Sequence, residues 1–253
     1  MSVVAETLSE AKAGRVATKS RLAILPALNE EASIARVVRE IRAADPGFEI
    51  LVIDDGSTDH TAHEAERAGA RVVSLPYNLG IGAAVQTGYQ YARNNGYEIA
   101  VQIDGDGQHD PGDLDRLLAP ILRDEVDMVI GSRFCGERRY RPPVARRLGI
   151  LLLSAVVTVL IRRRMTDPTS GFRAVNRRGI LLFAGNYPHD YPEAEANVLV
   201  ARHKLRLLEV PVTMRTRETG RSSITALRSL YYMIKVSLAL FVSVFRRYPA
   251  LED

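Results

Sequence analysis

Between Arg21 and Arg133, five short apolar runs at 22–25, 50–53, 72–75, 99–103 and 128–130 alternate with stretches of helical spacing at 31–44, 58–68, 82–94 and 111–123. A run that is apolar at consecutive positions has both faces covered, as in the central strands of a buried sheet. Strands separated by helices of crossover length build a mostly parallel sheet, so the expected class is α/β with helices on both faces. Ligands of such sheets gather at the carboxyl ends of the strands. The polar residues fall there: Asn29 and Glu30 follow the first run, Asp54 and Asp55 the second, Asn78 and Gly80 the third, Asp104 and Asp106 the fourth.

Beyond Arg133 the pattern changes. Residues 148–161 are apolar or small and stand between Arg146, Arg147 and Arg162, Arg163, Arg164. As a helix rising about 1.5 Å per residue, this stretch covers about 21 Å, short of the roughly 30 Å of a bilayer's hydrocarbon core. A second stretch, 230–245, is interrupted by Lys235, closed by Arg246 and Arg247, and has Tyr231, Tyr232 and Tyr248 near its ends. Both fit helices lying in a membrane interface with cations at the headgroups. Both also fit core or oligomer-interface helices.

At 253 residues, 46% hydrophobic and 25% charged, the chain has room for one large domain and the make-up of an ordinary globular protein. Lysine and arginine number 34 against 30 acids, and the pI of about 9.3 points to an anionic partner. The arginines crowd into the second half, at Arg138, Arg139, Arg141, Arg146, Arg147, the 162–164 run, Arg177 and Arg178. That distribution suits phosphate or anionic lipid better than nucleic acid, for which no groove-reading helix or aromatic platform is present. The single cysteine, Cys135, excludes an internal disulfide and a cysteine-based zinc site and agrees with a reducing, cytosolic side. Residues 1–20 carry charges and no apolar run, so they read as a flexible tail and not as a signal peptide.

The stretch with most chemical content is IAVQIDGDGQ at 99–108, a buried strand ending in two acids separated by glycine. In extended backbone Asp104 and Asp106 point the same way, and the glycines admit close approach to the main chain. A hard divalent cation takes oxygen ligands and shares them with substrate phosphates, so this is a reasonable seat for a metal and a diphosphate, with Gln108 as a further oxygen. Alone, Asp-x-Asp also fits a turn of solvated acids. ILVIDDGSTD at 50–59 repeats the logic: Asp54 and Asp55 can accept hydrogen bonds from a base or ribose, and Ser57 or Thr58 suits a helix cap. PALNE at 26–30 places Asn29 and Glu30 after the first strand, where they serve a nucleoside or simply start a helix.

In this order and spacing the three stretches resemble family 2 glycosyltransferases, above all dolichol-phosphate mannose synthases and the bacterial polyprenyl-phosphate glycosyltransferases. Further matches are NLG at 78–80 with Ala84 and Gly88, GSR at 131–133, DPTSGFR at 167–173 and RETGRS at 217–222. The resemblance covers nearly everything from Leu22 to Phe245 and implies a glycosyltransferase-A fold. It implies a nucleotide site of Pro26, Leu28, Glu30, Ile53, Asp55, Asp104 and Gly105, and a metal site for Mg or Mn of Asp104, Asp106 and Gln108. It further implies that Asp106, Arg133 and Arg217 are catalytic and that Arg133, Arg147 and Ser222 hold the acceptor phosphate. Gly220 and Ser222 would belong to a loop closing over the donor. Related synthases often carry lysine where this chain has Ser223. The expected division is a tail over 1–20, a catalytic domain over 21–225 containing the interface helix 148–163, and a C-terminal amphipathic helix and tail over 226–253.

The expected reaction is metal-dependent, inverting transfer of a sugar from a nucleoside-diphosphate donor to a polyprenyl phosphate, at the cytoplasmic face of a membrane and by a peripheral protein. Relatives with long membrane spans after the catalytic part make a small integral membrane protein a plausible partner. A phosphate acceptor is already anionic and attacks without a base, whereas a saccharide hydroxyl requires one. Glu193 and Glu195 are the available carboxylates, and they equally suit the first turn of a helix. The rival readings are a transferase acting on a saccharide hydroxyl and an inactive nucleotide-sugar-binding scaffold at the membrane.

Overall fold

The computed structural model describes residues 19–136, 144–189 and 192–215, together with Val236 and Leu240. Its centre is a seven-stranded sheet built from β1 (Arg21–Ala27), β2 (Phe48–Asp54), β3 (Arg71–Ser74), β4 (Ile99–Gln102), β5 (Met128–Ser132), β6 (Arg173–Asn176) and β7 (Leu207–Pro211). The strand order is β3-β2-β1-β4-β6-β5-β7. β1 pairs in parallel with β2 and β4, β2 with β3, and β5 with β7. β6 alone among the described strands runs antiparallel, between β4 and β5.

Seven α-helices accompany the sheet among the described residues: α1 (Ile34–Ala44), α2 (Thr61–Arg67), α3 (Ile81–Asn94), α4 (Leu114–Leu122), α5 (Val144–Ile161), α6 (Arg177–Gly185) and α7 (Pro192–Arg202). Successive residues of β1 feed opposite faces, as the pleat requires. Leu22 and Ile24 join a cluster with Tyr89, Phe183 and Tyr187, while Ala23 and Leu25 join one with Ile34, Val37, Val38 and Ile41. The α1 residues recur at i, i+3, i+4 and i+7, one stripe of a helix, which is why α1 lies flat on the second face. On the first face α3 comes unusually close to β1, because a Cβ at Gly88 would stand 2.2 Å from Ile24 Cγ2.

The five expected strands and four expected helices are all present, but β3, expected to be buried, is an edge strand with Val72 and Val73 only partly buried and Arg71 and Ser74 exposed. Three of the helices start three residues late, at Ile34, Thr61 and Leu114, while α3 starts at Ile81, one residue early. Asp59 Oδ1 accepts from the Thr61 N–H at 3.0 Å, so α2 begins at Thr61 and not at 58. The stretch from 111 opens as a 3-10 turn, Pro111–Asp113, before α4.

The apolar stretch 148–161 lies within α5, which packs on α7 and buries Ile150, Leu153 and Val157. Its outer side leaves Leu151, Leu152 and Val159 at 56%, 52% and 75% exposure. No described helix is long and apolar enough to cross a membrane. Of the stretch 230–245 only Val236 and Leu240 are described, and both are helical and fully buried against the first core cluster. The remainder of that stretch and residues 1–18 of the tail expected over 1–20 lie outside the described residues.

Candidate active site

At the carboxyl side of β1, β2 and β4 an open cavity of about 380 Å³ is lined by Pro26, Ala27, Leu28, Glu30 and Asp55, by Asn78, Gly80, Ile81 and Ala84, by Asp104, Gly105 and Asp106, and by Glu193. The strand register creates it. Ala27 and Asp54 are partners at the ends of β1 and β2, and the chain leaves β4 just beyond Ile24, so the following residues converge on one rim.

Side chains lock that rim. The Asn29 N–H donates to Ser57 Oγ at 2.9 Å and its Oδ1 accepts from the Thr58 N–H at 2.9 Å, tying the loop after β1 to the loop after β2. Asn29 reaches this pose with φ 55, a left-handed conformation that asparagine tolerates. The buried Ser33 hydroxyl lies 2.8 Å from the Gly105 carbonyl and 3.0 Å from Glu30 Oε2, joining the loop after β1 to the acidic loop after β4. Asp55 accepts the Leu79 N–H on Oδ1 at 2.8 Å and the Gly80 N–H on Oδ2 at 2.9 Å. It therefore shapes the loop leading into α3 as well as facing the cavity. Asp54 accepts from the Ser57 N–H at 3.0 Å and is a turn former.

Asp104 and Asp106 stand side by side on the cavity wall after β4. Behind them is a residue that the motif reading did not single out. His109 is 2% exposed and stacks on Phe172 with ring centroids 4.8 Å apart and planes 11° from parallel. Its Nδ1 accepts from the Asp104 N–H at 3.1 Å, and its Nε2 lies 3.6 Å from Asp104 Oδ2. Burial pushes its pKa down to about 4 against the pull of Asp106. The ring is thus neutral near pH 7, and with Nδ1 accepting, the proton sits on Nε2, facing the Asp104 carboxylate.

Among the described residues no three His, Cys, Asp or Glu side chains converge as a complete metal cage. Two carboxylates on the wall of an open, polar cavity instead fit a hard cation that completes its shell with water and substrate phosphate oxygens.

Of the expected site residues, Pro26, Leu28, Glu30, Asp55, Asp104, Gly105, Asp106 and Glu193 share this one cavity. Ile53 packs in the core beneath it. Gln108 is off the wall, with its N–H on Asp106 Oδ1 at 3.0 Å and its carbonyl accepting from the Arg215 N–H at 2.8 Å. Arg133 is 7% exposed, and its Nε and Nη2 grip the fully buried Asp167 at 2.7 and 2.6 Å. Its charge is nonetheless felt at His109 and Glu193. Arg147 is exposed on α5, and Glu195 sits on α7 away from the wall. Burial raises the pKa of Glu193, with Arg173 acting in the opposite direction. Arg217, Gly220 and Ser222 lie outside the described residues.

Comparison with known proteins agrees with this arrangement. The sequence profile described as Glycosyl transferase family 2 matches residues 22–180. The undecaprenyl-phosphate mannosyltransferase of Micrococcus luteus is 31% identical over 213 residues, covering 81% of this chain and 87% of that one. The polyprenol monophosphomannose synthase of Mycolicibacterium smegmatis is 29% identical, with coverage of 87% and 86%. Among solved structures, glucosyl-3-phosphoglycerate synthase from Mycobacterium tuberculosis in complex with Mn2+, uridine diphosphate and glucosyl-3-phosphoglycerate superposes with a TM-score of 0.68. It shares 26% identity over 94% of this chain and 82% of that one. The sheet, the acid-lined cavity at its carboxyl edge and these relatives agree, and the chain is a member of glycosyl transferase family 2.

Proposed function

We propose that the chain transfers a hexose from a nucleoside-diphosphate donor to a polyprenyl phosphate, with inversion at the anomeric carbon, at a membrane surface. The observation that carries this reading is the single cavity in which Glu30 and Asp55 stand at one end and Asp104 and Asp106 in the middle. The nucleoside lies over β1 and β2, and the diphosphate lies against the two acids. Asp104, Asp106 and, after a side-chain shift, Gln108 are the groups to hold a divalent cation there. Such a cation, when bound, neutralises charge on the departing diphosphate. His109 keeps Asp104 oriented. The remaining contribution of the chain is to position donor and acceptor in line.

The acceptor reading rests on the surface beside the site and on relatives whose names specify polyprenyl phosphates. α5 presents Leu151, Leu152 and Val159 outward and ends in the exposed Arg162, Arg163 and Arg164, with Arg147 exposed on its first turns. An apolar stripe with cations at its ends suits the interface of an anionic membrane. Arg133, Arg147, Arg217 and Ser222 are the proposed phosphate contacts and Arg133 and Arg217 the proposed catalytic arginines; for Arg133 this requires its release from Asp167, which its Nε and Nη2 grip in the structure. The cytoplasmic face, where sugar nucleotides are made, and a small integral membrane partner complete the proposal. A second reading, transfer to a saccharide hydroxyl, is favoured by one observation: Glu193 is on the cavity wall, where a general base would stand.

The test is a transfer assay with UDP- and GDP-hexoses and undecaprenyl phosphate in detergent, with manganese, magnesium or EDTA, followed by determination of the product's anomeric configuration. A lipid-linked sugar of inverted configuration, formed only with the cation, is expected. Retained configuration, EDTA-resistant turnover, or transfer to a soluble saccharide in place of the lipid would contradict the proposal.

A further inference from the structure

Every described residue on the cavity wall comes from the first 106 positions except Glu193, which α7 brings in from the far side of β4. In the order β3-β2-β1-β4-β6 the wall runs from the β2 end at Asp55, through Asp104 and Asp106 after β4, to Glu193 over the β6 side. A donor laid along this line with its nucleoside over β1 and β2 and its diphosphate at the acids carries its sugar ring to Glu193. A Cβ at Gly82 would stand 2.5 Å from the Pro188 carbonyl oxygen, so the start of α3 abuts the segment leading into α7.

Beneath Glu193 is a feature that the fold alone does not call for. Arg173 is fully buried on β6, opposite Gln102, and is among the largest fully buried side chains of the described residues. Its Nη2 donates to the Ser170 carbonyl at 2.5 Å and to the Glu193 carbonyl at 3.2 Å, while Nε and Nη1 have no hydrogen-bond partner. A buried guanidinium without a carboxylate of its own is costly to a fold. Its field falls on Glu193, whose pKa burial raises and Arg173 pulls part of the way back. The start of α7 adds its positive helix end to the same place. A carboxyl group at this point of the wall presents oxygens to a ligand rich in hydroxyl donors.

We propose that Glu193, held over the buried Arg173, accepts hydrogen bonds from the hydroxyls of the donor's sugar ring and so selects which sugar is transferred. Arg173 is a positioning residue for it. This inference rests on the donor reading above and departs from the general-base role, because the carboxylate reads the ring and takes no proton.

The test uses the full-length protein in manganese. UDP, GDP, UDP-glucose, UDP-N-acetylglucosamine and GDP-mannose are titrated into wild type, Glu193→Gln and Glu193→Ala, and transfer kinetics are measured with the sugar nucleotide that binds. Loss of hydrogen bonds to a charged group predicts that Glu193→Ala weakens the sugar nucleotide about tenfold to a hundredfold, with its nucleoside diphosphate within about twofold. Glu193→Gln raises the donor KM and leaves kcat within about threefold. Three results overturn the proposal: equal weakening of both ligands, unchanged affinity for the sugar nucleotide, or a collapse of kcat at unchanged donor KM. If wild type binds none of the five nucleotides, the donor reading itself fails, and this proposal fails with it.

Discussion

Asp104 and Asp106 illustrate how one residue type in one place carries chemistry. A carboxylate that ends an apolar strand gains nothing from packing, and both acids stand on the cavity wall. Asp106→Ala is expected to lower transfer by about a hundredfold or more, the scale of losing one preorganised charge-stabilising group, in an assay of lipid-linked product. His109→Leu is expected to reduce apparent metal affinity about tenfold to a hundredfold, the usual loss when a residue behind a metal ligand is removed, read from activity against manganese concentration. The acids were legible from sequence because the end of an apolar run is a local signal. His109 was not, since its burial depends on Phe172, which arrives only with the strand after α5. Arg173 was part of a recognised motif, but nothing local says that an arginine beside apolar residues ends fully buried.

Among the elements, those with a strong internal period were readable and those defined by pairing were not. β1, β2 and β4 are continuous apolar runs with both faces covered. β6 is four residues long, carries Arg173, and exists because β4 and β5 leave a gap that an antiparallel strand fills. β7 pairs at the sheet edge, with its middle residues only partly buried, and lacks a run long enough to announce itself. The approach of α3 to β1 is a sharp test of packing: Gly88→Ala places a methyl against Ile24 and is expected to cost about 1–3 kcal/mol by overpacking, measured by urea denaturation. Asp127 tests the opposite end of the sheet. Burial alone would raise its pKa, but hydrogen bonds from Arg206 and Asn176 outweigh that and hold it below 3.8. The stabilisation is therefore full above pH 3.8 and is lost as pH falls through the lower folded value. Asp127→Asn is expected to lower the urea midpoint at pH 7, with the gap to wild type narrowing in acid.

At the scale of the whole molecule, α5 and the residues just after it carry both exposed apolar residues and exposed arginines. α5 is helical as its composition indicated, but sequence alone did not divide its faces: Leu153 and Val157 face the core, while Leu151, Leu152 and Val159 face outward. The later stretch 230–245 carried a similar signal, yet its described residues Val236 and Leu240 are core residues. Apolar runs of this length fit a lipid surface and a protein interior equally well until the packing partner is known. Leu151→Glu with Val159→Glu is expected to reduce binding to vesicles containing phosphatidylglycerol by about tenfold or more. Nucleotide binding is expected to be unchanged, since neither residue lines the cavity. The central claim is that the acid-lined cavity binds a nucleoside diphosphate through a cation. Its most direct test is calorimetric titration of UDP and GDP into the protein with manganese, with magnesium and with chelator, alongside Asp106→Ala. Binding of one nucleotide that needs the cation and is lost in the variant is the predicted result. Binding that is indifferent to chelator and to Asp106, or no binding of either nucleotide, would contradict it.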